Sequence, residues 1–230
     1  MIRFWDFICR GILRMSDSEY FDFYGIRALS AVDALGIAAN NSKLKEMKAL
    51  LADGVDINGI AVYSKRTALC SAATQGAIRS VTLLLENDAA VNLPDGNDMT
   101  ALMHACSHGK KKGMQIAVEL IDADADVHYV RTSDEMTALK FSIDGLNADL
   151  IQLLLDRGAD PDGPPGTRQT ALMLAARSNF VEALRVLIDN GADPTLTCKV
   201  PWAQNRTAQG LAELEKRRQA VAFFKSLAKE

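Results

Sequence analysis

The tripeptide Thr-Ala-Leu begins at Thr67, Thr100, Thr137 and Thr170, with Thr207-Ala208-Gln209 as a weaker copy and Asp33-Ala34-Leu35 as a degenerate first one. Successive copies stand between 33 (67 to 100) and 37 (100 to 137) residues apart. Self-similarity at such a period constrains a fold more than any local motif, because every unit must be the same small piece of structure. Each copy opens the same script: a short Ala-rich segment, a polar break, a segment carrying an apolar triplet, and an exit turn. Residues 67–92 read TALCSAATQGAIRSVTLLLENDAAVN, and residues 170–195 read TALMLAARSNFVEALRVLIDNGADPT. Leu153-Leu154-Leu155 leads to Gly158-Ala159-Asp160, and Leu50-Leu51 leads to Gly54-Val55-Asp56.

The script reads as helix, break, helix, turn. Ala72-Ala73 and Ala175-Ala176 make the first helix thin, so that neighbouring units approach closely. The apolar triplet supplies the larger packing groups. Gly158 and Gly191 end the second helix in the left-handed conformation, and the Thr of each copy is placed to cap the next first helix. No unit buries both sides of its own helix pair, so the units must stack into a quasi-one-dimensional, all-α solenoid.

This pattern resembles the ankyrin repeat family, whose consensus runs Thr-Pro-Leu-His-x-Ala-Ala, then Gly, then Leu-Leu-Leu, then Gly-Ala-Asp-Val-Asn. The resemblance covers residues 33–230, with about six units starting near 33, 67, 100, 137, 170 and 207, the last a C-terminal cap. Residues 1–32 fall outside the register and are expected to form an N-terminal helical cap. Within them Ser16-Asp17-Ser18-Glu19 marks a helix start, and residues 1–14 put Trp5, Ile8, Ile12 and Leu13 on one face. The consensus Pro is Ala in every Thr-Ala-Leu copy. The consensus His is replaced by Cys70, Met103, Lys140 and Met173, which predicts a loss of hydrogen bonding between adjacent turns; His104 lies one place late to take that role. Extra residues at Lys110-Lys111-Lys112-Gly113 and at 196–206 are expected to form loops.

Composition narrows the function classes. A formal charge of −3 and a pI near 5.7 give no basic footprint for nucleic acid, and three lysines in a row are too few to make one. No stretch approaches the roughly 18–20 apolar residues of a membrane span. Arg3, Asp6 and Arg10 interrupt the apolar start, so no secretory signal is read, a cytoplasmic location is expected, and Met1 and Met15 both remain as starts. Four cysteines without a CxxC pair fit a reducing compartment. Asp122, Asp124 and Asp126 match the opening of a calcium loop, but Val127 stands where Gly is needed and Ser133 where Glu is needed, so the stretch is read as the exit turn of the third repeat. His104 and His108 complete no metal or catalytic pattern. No nucleophile elbow or phosphate loop is present, and neither enzyme activity, a cofactor nor a metal is expected.

Members of the resembling family bind proteins through a concave side built from the turn tips and the exposed faces of the first helices. Carried onto this chain, that geometry selects turn residues Tyr63, Lys65, Arg66, Asn97 and Met99, then Tyr129, Arg131, Glu135, Arg168 and Gln169. It also selects Gln75, His108 and Arg177 on the first helices and Trp202 in the longest turn. Aromatic residues and Arg are the usual anchors of interfaces, and the mixed charges of this set point to a folded protein partner. The resemblance therefore implies a non-catalytic interaction module, monomeric in isolation. It would act as an adaptor or inhibitor, in its sharper form an immunity-type inhibitor of a toxin or enzyme. A delivered effector acting on host proteins is the alternative.

Overall fold

The computed structural model of the chain describes residues 30–227 apart from residue 109. The expected N-terminal cap and the amphipathic start lie outside the described residues. Among the described residues there are twelve α-helices, one 3₁₀ turn (Pro201–Ala203) and no strand. The helices come in six pairs: α1 (Ala31–Asn40) with α2 (Leu44–Ala52), α3 (Ala68–Gln75) with α4 (Ile78–Leu85), and α5 (Ala101–Ser107) with α6 (Lys110–Asp122). The remaining pairs are α7 (Ala138–Asp144) with α8 (Ala148–Asp156), α9 (Ala171–Arg177) with α10 (Val181–Asp189), and α11 (Ala208–Leu214) with α12 (Arg218–Leu227). First helices pack on first helices in chain order, and second helices on second helices, which gives the two-layered stack.

Local chemistry sets each boundary. Thr67, Thr100, Thr137, Thr170 and Thr207 all cap, each hydroxyl accepting from the amide three residues on at 3.1–3.4 Å. The first unit starts differently. Ser30 caps α1 and Asp33 completes a capping box with it, so α1 begins ahead of the degenerate copy at Asp33. The second helices end in positive φ, with Gly54, Gly158 and Gly191 at 81°, 89° and 87°, and Asp88 and Asp124 at 61° and 63°. Aspartate is among the few other residues that visit this region routinely. Leu84, Leu120, Leu154 and Leu187 stand at the same place in the second helices of the central repeats and are fully buried, against the buried Ala72-Ala73 and Ala175-Ala176 of the first helices.

The insertion at residues 110–113 is not a loop. It lengthens α6 to 13 residues, against 8 in α4 and 9 in α8 and α10. Gly113 permits this: a Cβ there would stand 2.5 Å from the Ala105 carbonyl oxygen and 2.7 Å from that of His108. Gly145, at the end of α7, approaches the third repeat just as closely, since its Cβ would lie 2.5 Å from the Cys106 carbonyl oxygen.

The exit turns are tied to one another by a row of side chains. Asn58 Oδ1 accepts from the Ala90 amide at 2.8 Å, Asn92 Oδ1 from the Asp126 amide at 2.7 Å, and Asp162 Oδ1 from the Asp193 amide at 3.0 Å. Asn92 also donates to the Asp124 carbonyl. The acidic run at 122–126 is thus occupied in the exit turn, with Asp126 accepting from the His128 amide at 2.8 Å. His128 holds the Asn position at the next junction. Among the described residues its ring makes no rung to Asp160, and the row is interrupted between repeats three and four.

Candidate partner-binding face

Between each exit turn and the next Thr cap the chain projects a finger. In the first three, residues 61–66, 95–99 and 131–136, the hairpin closes from the first residue's amide to the last carbonyl at 2.9, 2.8 and 2.9 Å. Lys65, Asp98 and Glu135 take positive φ at the bends, 55°, 58° and 61°. The fingers are joined sideways, by a carboxylate at some junctions and by a main-chain carbonyl at others. The Tyr63 amide donates to Asp33 Oδ1 at 3.2 Å, and the Gly96 amide to the Lys65 carbonyl at 2.6 Å. The Thr132 amide and hydroxyl donate to Asp98 Oδ2, both at 2.7 Å. The Arg168 amide donates to Glu135 Oε2 at 2.7 Å, and the Lys199 amide to the Arg168 carbonyl at 2.9 Å.

Several residues selected from sequence serve inside this scaffold. Tyr129 donates its hydroxyl to Asp98, and this bond, with those from Thr132, holds the Asp98 carboxyl down to about 2 while pushing the Tyr129 phenol up to about 12. Arg131 pairs with Asp134 through Nε at 2.8 Å and lies over the Phe141 ring at 5.2 Å. The Arg168 amide beside Glu135 is the main influence holding that carboxyl below the usual range, with the Arg168 guanidinium at 3.4 Å adding to it. Met99 packs half-buried against the core, and Gln169 is half-buried with its Nε2 unpartnered among the described residues. His108 caps the end of α5 and covers Gly76, at the far end of the first helices from the fingers.

What stays on the surface is a smaller set: Tyr63, Lys65, Gln75, Asn97, Arg168 and Trp202. Tyr63 is 55% exposed with Val62 and Ile60 beside it, and Trp202 is 46% exposed, so the finger edge carries an apolar group at each end and charged tips between. Trp202 has Arg177 stacked on its ring at 4.6 Å, and Arg177 is fixed by Glu215 at 2.7 Å. The extra residues of the last finger build this platform on the 3₁₀ turn at Pro201–Ala203.

The expected loss of bonding at the consensus His position is only half correct. Met103 and Met173 are buried apolar groups there. Lys140, however, is 3% exposed and reaches with Nζ both the Glu135 carbonyl at 2.9 Å and Thr167 Oγ1 at 2.7 Å, so it joins two adjacent fingers. A lysine is long enough to snorkel from the helix to the turn where Met is not. Cys70 makes a weaker link of the same kind, its thiol 3.6 Å from the Met99 carbonyl. His104 also forms a bond that sequence reasoning missed, Nε2 to Asp95 Oδ2 at 2.8 Å, both groups buried. One signal was available for His104, which lies between Met103 and Ala105 on a first helix; Asp95, between Pro94 and Gly96, gave none.

Known proteins agree with this architecture. A family model described as ankyrin repeats (3 copies) matches residues 35–126 and 110–198. The chain belongs to the ankyrin repeat family. It is 31% identical over 163 residues, 70% of its length, to the ankyrin repeat and KH domain-containing protein mask-1 of Caenorhabditis elegans, and covers 6% of that protein. An ankyrin repeat-containing protein of Treponema pallidum is 32% identical over 139 residues, 60% of this chain and 44% of the relative. The chain thus spans less than half the length of these two relatives. Among solved structures, a chain from "Bd0816 Predatory Endopeptidase from Bdellovibrio bacteriovorus in complex with immunity protein Bd3460" superposes with a TM-score of 0.72 at 26% identity, over 84% of this chain and 97% of that one. Among the described residues no helix is long and apolar enough to cross a membrane.

Proposed function

We propose that this ankyrin stack is a non-catalytic binding module of the inhibitor kind, which covers a functional surface of a folded protein partner, an enzyme in its immunity-type form. The observation that carries this is the finger edge. Four fingers and a 3₁₀ platform are braced by bonds to their neighbours, so that Tyr63, Arg168 and Trp202 are held on a pre-ordered surface. Pre-ordering lowers the entropic cost of association, and exposed aromatic and Arg groups are the side chains that anchor interfaces. The solved complex supports the inhibitor form, since a chain similar to this one over almost its whole length comes from an assembly of an endopeptidase with an immunity protein. The charged tips between the two apolar ends would set register on the partner.

Tagged protein recovered from its own cells tests this, with the partner identified by mass and then purified. A stoichiometric complex in which the partner's activity falls as the ankyrin protein is added supports inhibition. A complex with full partner activity limits the role to an adaptor. Equal binding by a folded Tyr63→Ala/Arg168→Ala/Trp202→Ala variant overturns the assignment of the face.

A further inference from the structure

Three donor side chains converge beneath the second finger without contributing to the partner face. Cys70 comes from α3, Asp95 from the base of the finger and His104 from α5, and they are 0%, 4% and 4% exposed. Their Sγ, carboxylate oxygen and imidazole nitrogen all lie within 4.8 Å of one another. Asp95 Oδ2 stands 2.8 Å from His104 Nε2, and Cys70 Sγ faces the Met99 carbonyl oxygen, a fourth donor, at 3.6 Å. The Asp95 side chain is wholly buried, yet the nearest guanidinium, that of Arg66, reaches it only at 3.8 Å, and Arg66 Nε has no hydrogen-bond partner among the described residues. Asp95 Oδ1 accepts from the Asn97 and Met99 amides at 2.8 and 3.2 Å, which leaves Oδ2, beside His104, as the oxygen that faces the cluster.

We propose that Cys70, Asp95 and His104 form a binding site for a divalent ion of the zinc class, with the Met99 carbonyl or a water as fourth ligand. A sulfur, nitrogen and oxygen donor set suits zinc, whereas magnesium and calcium take oxygen alone. With metal–ligand bonds of about 2.0–2.3 Å, donors of a tetrahedral shell stand about 3.3–3.6 Å apart. The Asp95–His104 contact therefore opens by roughly half an ångström on binding, and the widest separation closes by roughly one. The proton balance is definite. Burial pushes the Cys70 thiol up to about 12, so the metal-free thiol is protonated and the ion displaces one proton to solvent. His104 binds through Nε2, with Nδ1 carrying the ring proton in the bound form. Arg66, whose side chain is a third exposed, withdraws toward solvent as the ion takes over the charge of Asp95. The ion then fastens repeats two and three at the base of the finger.

The full chain, stripped with a chelator and kept reduced, is titrated with cobalt(II) as a spectroscopic probe and then with zinc. Expected are one ion per chain, a thiolate-to-cobalt charge-transfer band with tetrahedral ligand-field bands, displacement by zinc, and affinity that weakens as pH falls. Cys70→Ser abolishes the charge-transfer band, and His104→Gln, which can still hydrogen-bond Asp95, weakens binding about tenfold or more, whereas His108→Ala leaves it unchanged. Substoichiometric cobalt, a spectrum without the thiolate band, or unaltered binding by His104→Gln overturns the site, the last even if Cys70→Ser fails to fold.

Discussion

Two rows of hydrogen bonds hold neighbouring repeats together, and they are built on different plans. In the exit-turn row the same position, filled by Asn58, Asn92 and Asp162, accepts from the amide of the next repeat. In the finger row the acceptor is mixed: the carboxylates of Asp33, Asp98 and Glu135 at three junctions and the main-chain carbonyls of Lys65 and Arg168 at two, with the Lys140 ammonium added beside Glu135. A uniform rung fixes the distance between units whatever else they carry. An idiosyncratic rung ties the shape of each finger to the side chains chosen for it, which is what a surface that must fit one partner requires. The exit-turn row is the register of the stack, and the finger row carries its individuality.

The contrast can be broken most strongly at Lys140. Lys140→Ala leaves the half-buried Glu135 carbonyl and Thr167 hydroxyl short of a donor, an expected loss of about 2–3 kcal/mol in urea unfolding. Lys140→Met, which restores the packing alone, recovers part of that loss, and the remainder measures the rung. In the exit-turn row Asn92→Ala removes two more exposed bonds and should cost about 1 kcal/mol in the same assay. Smaller and of opposite sign, His128→Asn supplies the missing rung to the Asp160 amide and should raise stability by roughly 0.5–1 kcal/mol. A destabilised His128→Asn protein would mean that the interruption has a use of its own.

The pH dependence separates one rung of each row, because the Asp98 rung is ionic and the Asn92 rung is not. The Asp98 carboxyl is held down from 3.8 to about 2 by its bonds from Tyr129 and Thr132. A depressed folded-state value contributes stability above the unfolded value that is lost as pH falls through the folded one. The lead of the wild type over Asp98→Asn in melting temperature should therefore be full above pH 3.8 and close as pH falls toward 2. The difference between the wild type and Asn92→Ala should stay level over the same range.

Legibility from sequence followed the same division. The threonine caps, the buried triplet leucines and the exit glycines were readable because each acts within three or four residues and recurs. Asp88 and Asp124 in place of glycine were harder, and the longer α6 was hidden because an insertion at a helix start looks the same as one in a loop. The finger rungs were not readable. Lys140 finds Thr167 27 residues away and Tyr129 finds Asp98 31 residues away. Such pairs depend on rotamers and on the stacking distance, neither of which has a pattern in a single chain. Tyr129, Arg131 and Glu135 stand at turn positions that the family geometry assigns to partner contact, while the structure also gives them work within the fingers. Tyr63, Arg168 and Trp202, with their exposed side chains, are the better probes of the face.

On the proposed reading the finger row recognises the partner and the exit-turn row only spaces the repeats. This is tested most directly by measuring the affinity of the purified partner for two variants side by side, Tyr63→Ala/Arg168→Ala/Trp202→Ala and Asn58→Ala/Asn92→Ala. The first is expected to lose affinity by about a hundredfold, or roughly 3 kcal/mol, with its melting temperature kept, and the second to melt lower yet bind as the wild type does. A finger variant that binds normally, or an exit-turn variant that loses the partner while still folded, would contradict it.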